Sequence, residues 1–399
     1  MVCRVLAALF LFLLVVTGQA SAQEADPAAD TPSDEAASED DAPAPLLRNL
    51  ELIDAEAQNN ALALEEVPET DLPSTAAEVD EIFNRAQLAY ATGEFETAHV
   101  QARTAAAAGH AQAATLAGLM HENGEIEAAS DVQAVRWYRR AASQGEPVGN
   151  YRLGLMAQAA RAGLAPAEAR SFFQRAAQAG HVPAMLAYAL LLKASPVPQD
   201  APLAIEWAER AAQEGNVEAM FQLAQMYDGW ERGPQEASAA RDWYVQAAEN
   251  NHAEAALQAG LMLAAGEGGE ADPDRAMELI RQSAEAGFAP AMGQYGLMLY
   301  QGWDGGEPDL TNAAEWFAQG AIGGDAESQF LYAYVSATGQ GTERDLVRAY
   351  YWALMAEYEM DGLPARNVDR DRLQAQLETA LTPTEAEQVR SQIAAYRAR

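Results

Sequence analysis

Residues 134–145 read AVRWYRRAASQG, residues 204–215 read AIEWAERAAQEG, and residues 240–251 read ARDWYVQAAENN. One segment is thus written three times at a period of about 35 or 36 residues, which is the signature of a repeat array. Aligned on it, the chain falls into columns. An aromatic column runs Trp137, Phe172, Trp207, Trp243, Leu279, Trp316 and Trp352. Four residues on stand Ala141, Ala176, Ala211, Ala247, Ser283, Gly320 and Ala356, and then Gly145, Gly180, Gly215, Asn251, Gly287 and Gly324. The preceding half-repeat carries small residues at Gly118, Gly154, Ala189, Ala224, Gly260, Gly296 and Ala333. Two positions later come Met120, Met156, Leu191, Met226, Met262, Met298 and Val335.

Residues four apart share a helix face, so the aromatic and small columns make one seam. The small residue lets a neighbouring helix approach, and the aromatic fills the space beside it. Glycine or asparagine after the last turn takes the left-handed conformation that ends a helix. Each unit is then helix A, a loop, helix B and a glycine stop. Loops such as AAGEGGEADPD (264–274) and ATGQGTERD (337–345) suit helix ends and starts. One hairpin cannot cover its own apolar face, whereas stacked neighbours can. The fold class is all-α: a right-handed α/α superhelical solenoid of helical hairpins. The tail after residue 361 reads as one or two amphipathic helices that cap the apolar end.

The pattern carried by YRLGLMAQAA, FQLAQMYDGW, YGLMLYQGW and the WY…AA…G segments resembles the Sel1-like repeat, a relative of the tetratricopeptide repeat. Seven units cover 110–361. Before them FNRAQLAYATGEFETAHVQARTAAAAG, within 81–109, looks like a degenerate tetratricopeptide hairpin, and residues 362–399 are the cap. Some secreted members of the family staple each unit with a cysteine pair. This array has none and must rely on packing alone.

The chain begins with Arg4 as a short positive region and an apolar run from Val5 to Val16, too short to span a membrane comfortably. Ala20-Ser21-Ala22 follows as a cleavage site, so residues 1–22 read as a signal peptide and the mature chain starts at Gln23. The single cysteine, Cys3, precedes the apolar run, which excludes lipid anchoring at that residue and leaves the mature chain without thiol chemistry. Residues 23–45 hold eight carboxylates, four prolines and no base, and read as an acidic disordered tether. In 46–66, Leu46, Leu50, Ile53, Ala57, Ala61 and Leu64 fall at helical spacing. That helix either folds against the array or binds a partner. Residues 67–80 read as a second linker. The formal net charge is −34, which repels nucleic acid and anionic lipid and keeps the protein soluble.

No motif carries catalytic chemistry. His110, His181 and His252 share one column, directly after the glycine stop, and lie two repeats apart. They cannot meet at one metal ion and read as helix-start residues. His121-Glu122 lacks the second histidine of a zincin motif. Gly266 to Ala271 matches a dinucleotide fingerprint by letter, but a helix precedes it and two glutamates would repel phosphate. Two positions before the small residue of helix A stand Leu116, Arg152, Ala187, Gln222, Gln258, Gln294 and Leu331. Gln222, Gln258 and Gln294, with Arg152, form a candidate ladder for an extended peptide; the alternative is a solvated face. Trp230 and Trp303 fall outside the aromatic column, in loops after helix A. They are candidate hot spots or glycan platforms, or they pack across neighbouring loops.

The resemblance implies a non-enzymatic adaptor that binds a protein or peptide, an envelope protein in the periplasm or outside the cell, in envelope signalling, exopolysaccharide control, motility or secretion. No cofactor, metal, nucleic acid or membrane insertion is expected once the signal peptide is removed. The alternatives are a glycan- or peptidoglycan-binding module using the loop tryptophans, and a cell-wall hydrolase.

Overall fold

In a computed structural model of the chain, the described residues are 67–68, 72–358 and 368–397. The expected signal peptide, the acidic tether and the 46–66 helix lie outside them. Every regular element among the described residues is helical, and no strand occurs there. The first hairpin is α1 (Ala76–Ala91) and α2 (Phe95–Ala107). The helices in position A are α3 (Ala111–Asn123), α5 (Pro147–Gln158), α7 (Val182–Ala194), α9 (Val217–Tyr227), α11 (Ala253–Ala265), α13 (Ala289–Gln301) and α15 (Ala326–Thr338). Those in position B are α4 (Asp131–Ser143), α6 (Ala169–Gln178), α8 (Asp200–Gln213), α10 (Ala237–Glu249), α12 (Pro273–Glu285), α14 (Leu310–Ile322) and α16 (Leu346–Tyr358). Two more, α17 (Val368–Ala380) and α18 (Pro383–Arg397), close the chain.

α1 starts at Ala76, inside the stretch read as linker. Thr75 accepts from the Glu78 amide while the Glu78 carboxylate accepts from the Thr75 amide, a capping box that starts the helix early. The helices fall into two compact units. One holds the described residues through Gly149 together with Arg161–Gly163, and the other holds Asn150–Ala160 and the described residues from Leu164 onward.

In the N-terminal unit α1 to α4 bury Phe83, Met120, Ile126, Trp137 and a row of alanines. Alanine lets helices pack closely and is the best helix former. Tyr138 is fully buried, lies against Gly118, and donates its hydroxyl to Glu122 at 2.6 Å. Arg161 forks onto Asp131 at 2.9 and 2.5 Å and reaches Glu122 at 3.2 Å.

In the second unit the glycines of helix A repeat this arrangement. A Cβ added to Gly154 would overlap the Phe173 ring; on Gly260 it would meet Ile280, and on Gly296 it would meet Phe317. The residue that fills the space over each glycine is therefore the one after the aromatic column. The sequence pattern pairs the aromatic column only with the small residue four positions on in its own helix; what lies over the helix-A glycine is a finding of the structure. Phe173, Ile280 and Phe317 are fully buried, whereas Trp243, Trp316 and Trp352 are half-buried. Helix geometry explains it: adjacent residues lie about 100° apart, so only one of the pair can face the glycine. The methionine column is core, as Met156, Met226 and Met298 are buried, with Leu192 taking the role of Leu191 in α7.

The stop column works as read. Asn251 is left-handed at φ 65°, and the glycines around it in the column are left-handed too. At the far end Leu377, Ala386, Val389 and Ile393 cover Ala333, Tyr350, Ala353 and Met355. Arg370 fastens this lid, pairing with Glu327 at 2.9 Å and lying over the Phe330 ring. Burial raises the Glu327 carboxyl pKa against the opposing pull of Arg370.

Candidate binding face

In most repeats the start of helix A is held by the residue after the stop column; Phe288 is the exception, with no side-chain cap. His110, His181 and His252 accept at Nδ1 from the amides of Ala113, Ala184 and Ala255, at 3.1, 3.2 and 3.1 Å. Asn216 and Asp325 do the same for Ala219 and Ser328, at 2.8 and 2.7 Å. Each is an N-cap that satisfies an orphan helix donor. The histidine rings also lie on aromatic rings of the first helix of the preceding hairpin, α1, α5 and α9: Phe83, Tyr151 and Phe221 at 4.1, 4.8 and 4.4 Å. Among the described residues no group of three or more His, Cys, Asp or Glu side chains could hold a metal ion.

With helix A fixed at its start and along its glycine seam, the opposite face is determined. Arg152, Ala187, Gln222, Gln258, Gln294 and Leu331 are all half-exposed in the second unit. Gln222 accepts from Lys193 Nζ at 3.3 Å and donates to Glu218 at 2.9 Å, so the ladder is anchored at that rung. Burial lowers the pKa of Lys193.

Three residues on, a second column shares this face: Leu155, Leu190, Gln225, Leu261, Leu297 and Tyr334, half-exposed or exposed. Sequence reasoning passed over it because leucine beside a glycine–methionine seam reads as core. Arg152 is the one charged residue in the two columns, on a chain in which 21% of residues are charged.

The two loop tryptophans differ. Trp303 is held in place: its indole nitrogen donates to the Pro273 carbonyl at 3.1 Å, and its ring packs on the cluster of Leu257, Ile280 and Met298. Trp230 is half-buried, with the Arg232 guanidinium 5.0 Å from its ring centre. Arg232 in turn donates to the carbonyls of Lys193 and Ser195. α7 ends without a left-handed glycine, and these arginine contacts satisfy its last carbonyls. The Gly266–Ala271 stretch is an inter-helix loop: Gly266 ends α11 in the left-handed conformation and Asp272 caps α12.

The Sel1 repeat matches seven consecutive segments: 111–146, 147–181, 182–216, 217–252, 253–288, 289–325 and 326–358. Among solved structures, the chain is 25% identical to a protective antigen of uropathogenic Escherichia coli that displays an SLR fold, with TM-score 0.64. That match covers 74% of this chain and 62% of the antigen, so the chain spans less than two thirds of it. It is 26% identical to a Sel1 repeat protein of Oxalobacter formigenes, with TM-score 0.58, over 79% of this chain and 95% of that one. No curated protein matches.

Proposed function

Because the chain belongs to the Sel1 repeat family, whose repeats mediate protein–protein interaction, we propose that it is a non-enzymatic scaffold of the bacterial envelope. In this reading it holds a protein partner, as an extended peptide segment, on the helix-A face of its second unit. One observation carries it: the paired amide and aliphatic columns of that face contain a single charged residue, Arg152, on a chain of net charge −34, while Lys193 and Glu218 hydrogen-bond to the Gln222 rung. The buried centres of protein interfaces are depleted of charge in the same way. Glutamine amides offer both a donor and an acceptor to a peptide backbone, and the leucines beside them offer apolar contact.

Export is part of the proposal. The apolar run Val5–Val16 and the Ala20-Ser21-Ala22 site support it. N-terminal sequencing of the protein recovered from the periplasm should begin at Gln23. Among the described residues no helix is long and apolar enough to cross a membrane.

The binding test is affinity capture from envelope extracts with three forms of the protein: wild type, Q222E/Q258E/Q294E and W230A/W303A. The expected result is a protein retained by the wild type and by the tryptophan variant but lost with the charged ladder. Retention of that protein by all three forms would move the interface elsewhere. Retention of polysaccharide that only the tryptophan variant loses would favour a glycan-binding module instead.

A further inference from the structure

Two of the five histidines do not cap helices. His99 on α2 and His121 on α3 meet inside the N-terminal unit, their rings edge to face with centroids 4.9 Å apart. Both are buried, at 9% and 5% exposure. His99 Nε2 and His121 Nδ1 are buried and have no hydrogen-bond partner. A polar pair at a helix–helix contact, with an orphan nitrogen on each ring, is a poor choice for stability alone. Leucine would fill the space without that cost.

We propose that the His99–His121 pair makes the N-terminal unit acid-responsive: protonation of either ring loosens α2 from α3 while the second unit stays folded. A proton added here puts a cation into an apolar contact, beside a second imidazole, with no carboxylate hydrogen-bonded to either orphan nitrogen.

The charged groups of the surrounding elements are placed as follows. Glu96 of α2 acts on both rings and favours their protonation, but burial outweighs it. The Ala128 backbone hydrogen bond to His121 works in the same direction as Glu96. On α1, Asp80 lies 3.7 Å from His110. On α3, Glu122 is taken by Tyr138 and Arg161. In the loop that follows, Glu125 accepts from Tyr90 and Asn123, and the Glu127 amide is bound by Glu96. On α4, Asp131 is taken by Arg161, and Arg140 donates to the carbonyls of Ala106 and Ala107. Arg103 of α2 and Arg136 of α4 complete the set, each with interactions of its own.

The direction follows from proton linkage. Burial holds His99 below the ordinary imidazole value of 6.5. Burial first, and the neighbouring His99 second, bring His121 down to about 4. Between these values the opened unit binds more protons than the closed one. The stability of the neutral pair is therefore full above 6.5 and is lost as the pH falls toward 4. For His121 alone, the opening equilibrium shifts by about 30-fold at pH 5.

Hydrogen exchange of the whole protein, followed by segment between pH 7 and pH 5, tests this. Once the intrinsic pH dependence is removed, α2 and α3 should lose protection by tens of fold while α9 to α14 keep theirs. In H99L/H121L the loss should disappear. Should that variant not fold, the wild type still decides through the proton NMR titration of its five histidines, with His121 staying neutral well below pH 6. Protection in α2 and α3 that does not change between pH 7 and pH 5 would overturn the proposal. So would simultaneous opening of both units, or a His121 that titrates near 6.5 in the folded protein.

Discussion

In repeat 147–181 a glycine on helix A, Gly154, lies under the fully buried ring of Phe173. In repeat 182–216 the corresponding positions are Ala189 and Ala208, both fully buried. The same seam is filled once by nothing against a phenyl ring and once by a methyl against a methyl. The glycine makes room for a ring, whereas the alanine faces a residue as small as itself, so the two repeats close the same seam with different side-chain volumes and rely on their surroundings to complete the packing. A glycine in mid-helix costs about 1 kcal/mol against alanine. The first repeat bears that cost because the phenyl ring it admits buries far more apolar surface.

The comparison can be broken most strongly at the ring. Phe173→Ala should destabilise the second unit by about 3–5 kcal/mol in urea denaturation, since Gly154 offers nothing to refill the cavity. Gly154→Ala should cost about 1–3 kcal/mol, because the added methyl strikes a rigid ring with fully buried surroundings. Combined, the two changes recreate the alanine pair of the next repeat. Their joint cost should fall short of the sum by on the order of 1 kcal/mol or more; strict additivity would mean that the two residues are not filling one space. The cap of the following helix A ranks below these. Asn216→Ala should cost about 1 kcal/mol by removing the acceptor for the Ala219 amide, whereas Asn216→Asp should cost little. The smallest effect belongs to the exposed Arg210–Glu206 pair, 2.6 Å apart at positions i and i+4. Glu206→Ala should change stability by no more than about 0.5 kcal/mol, and less in high salt.

The parts of this fold that packing dictates are the parts that can be read from the letters. Gly118, Gly154, Gly260 and Gly296 recur in phase because a neighbouring side chain leaves them no room. His110, His181 and His252 recur because an exposed helix start needs an acceptor. What stayed illegible has physical reasons too. The choice between Trp137 and Tyr138 as the side chain over Gly118 is a matter of one residue of helical phase, below the resolution of a periodic pattern. His99 sits in the degenerate first hairpin, where no column exists to compare it with, and its contact with His121 joins two helices whose register the sequence does not state. The helix-A face is legible as a face, since Gln222, Gln258 and Gln294 keep their spacing. Its occupant is not, because these half-exposed side chains keep part of their surface and hydrogen-bonding capacity open, and the letters do not say to what.

The lid of α17 and α18 settles how the stack ends. Leu377, Val389 and Ile393 seal the aliphatic end of the last repeat, and Arg370 locks them down on Glu327. A repeat lattice with a bare end is a template: the next layer could as well come from another molecule, and copies would add head to tail into threads. The lid is a chain terminator in the polymer sense. It makes the number of layers a property of the gene product rather than of its concentration.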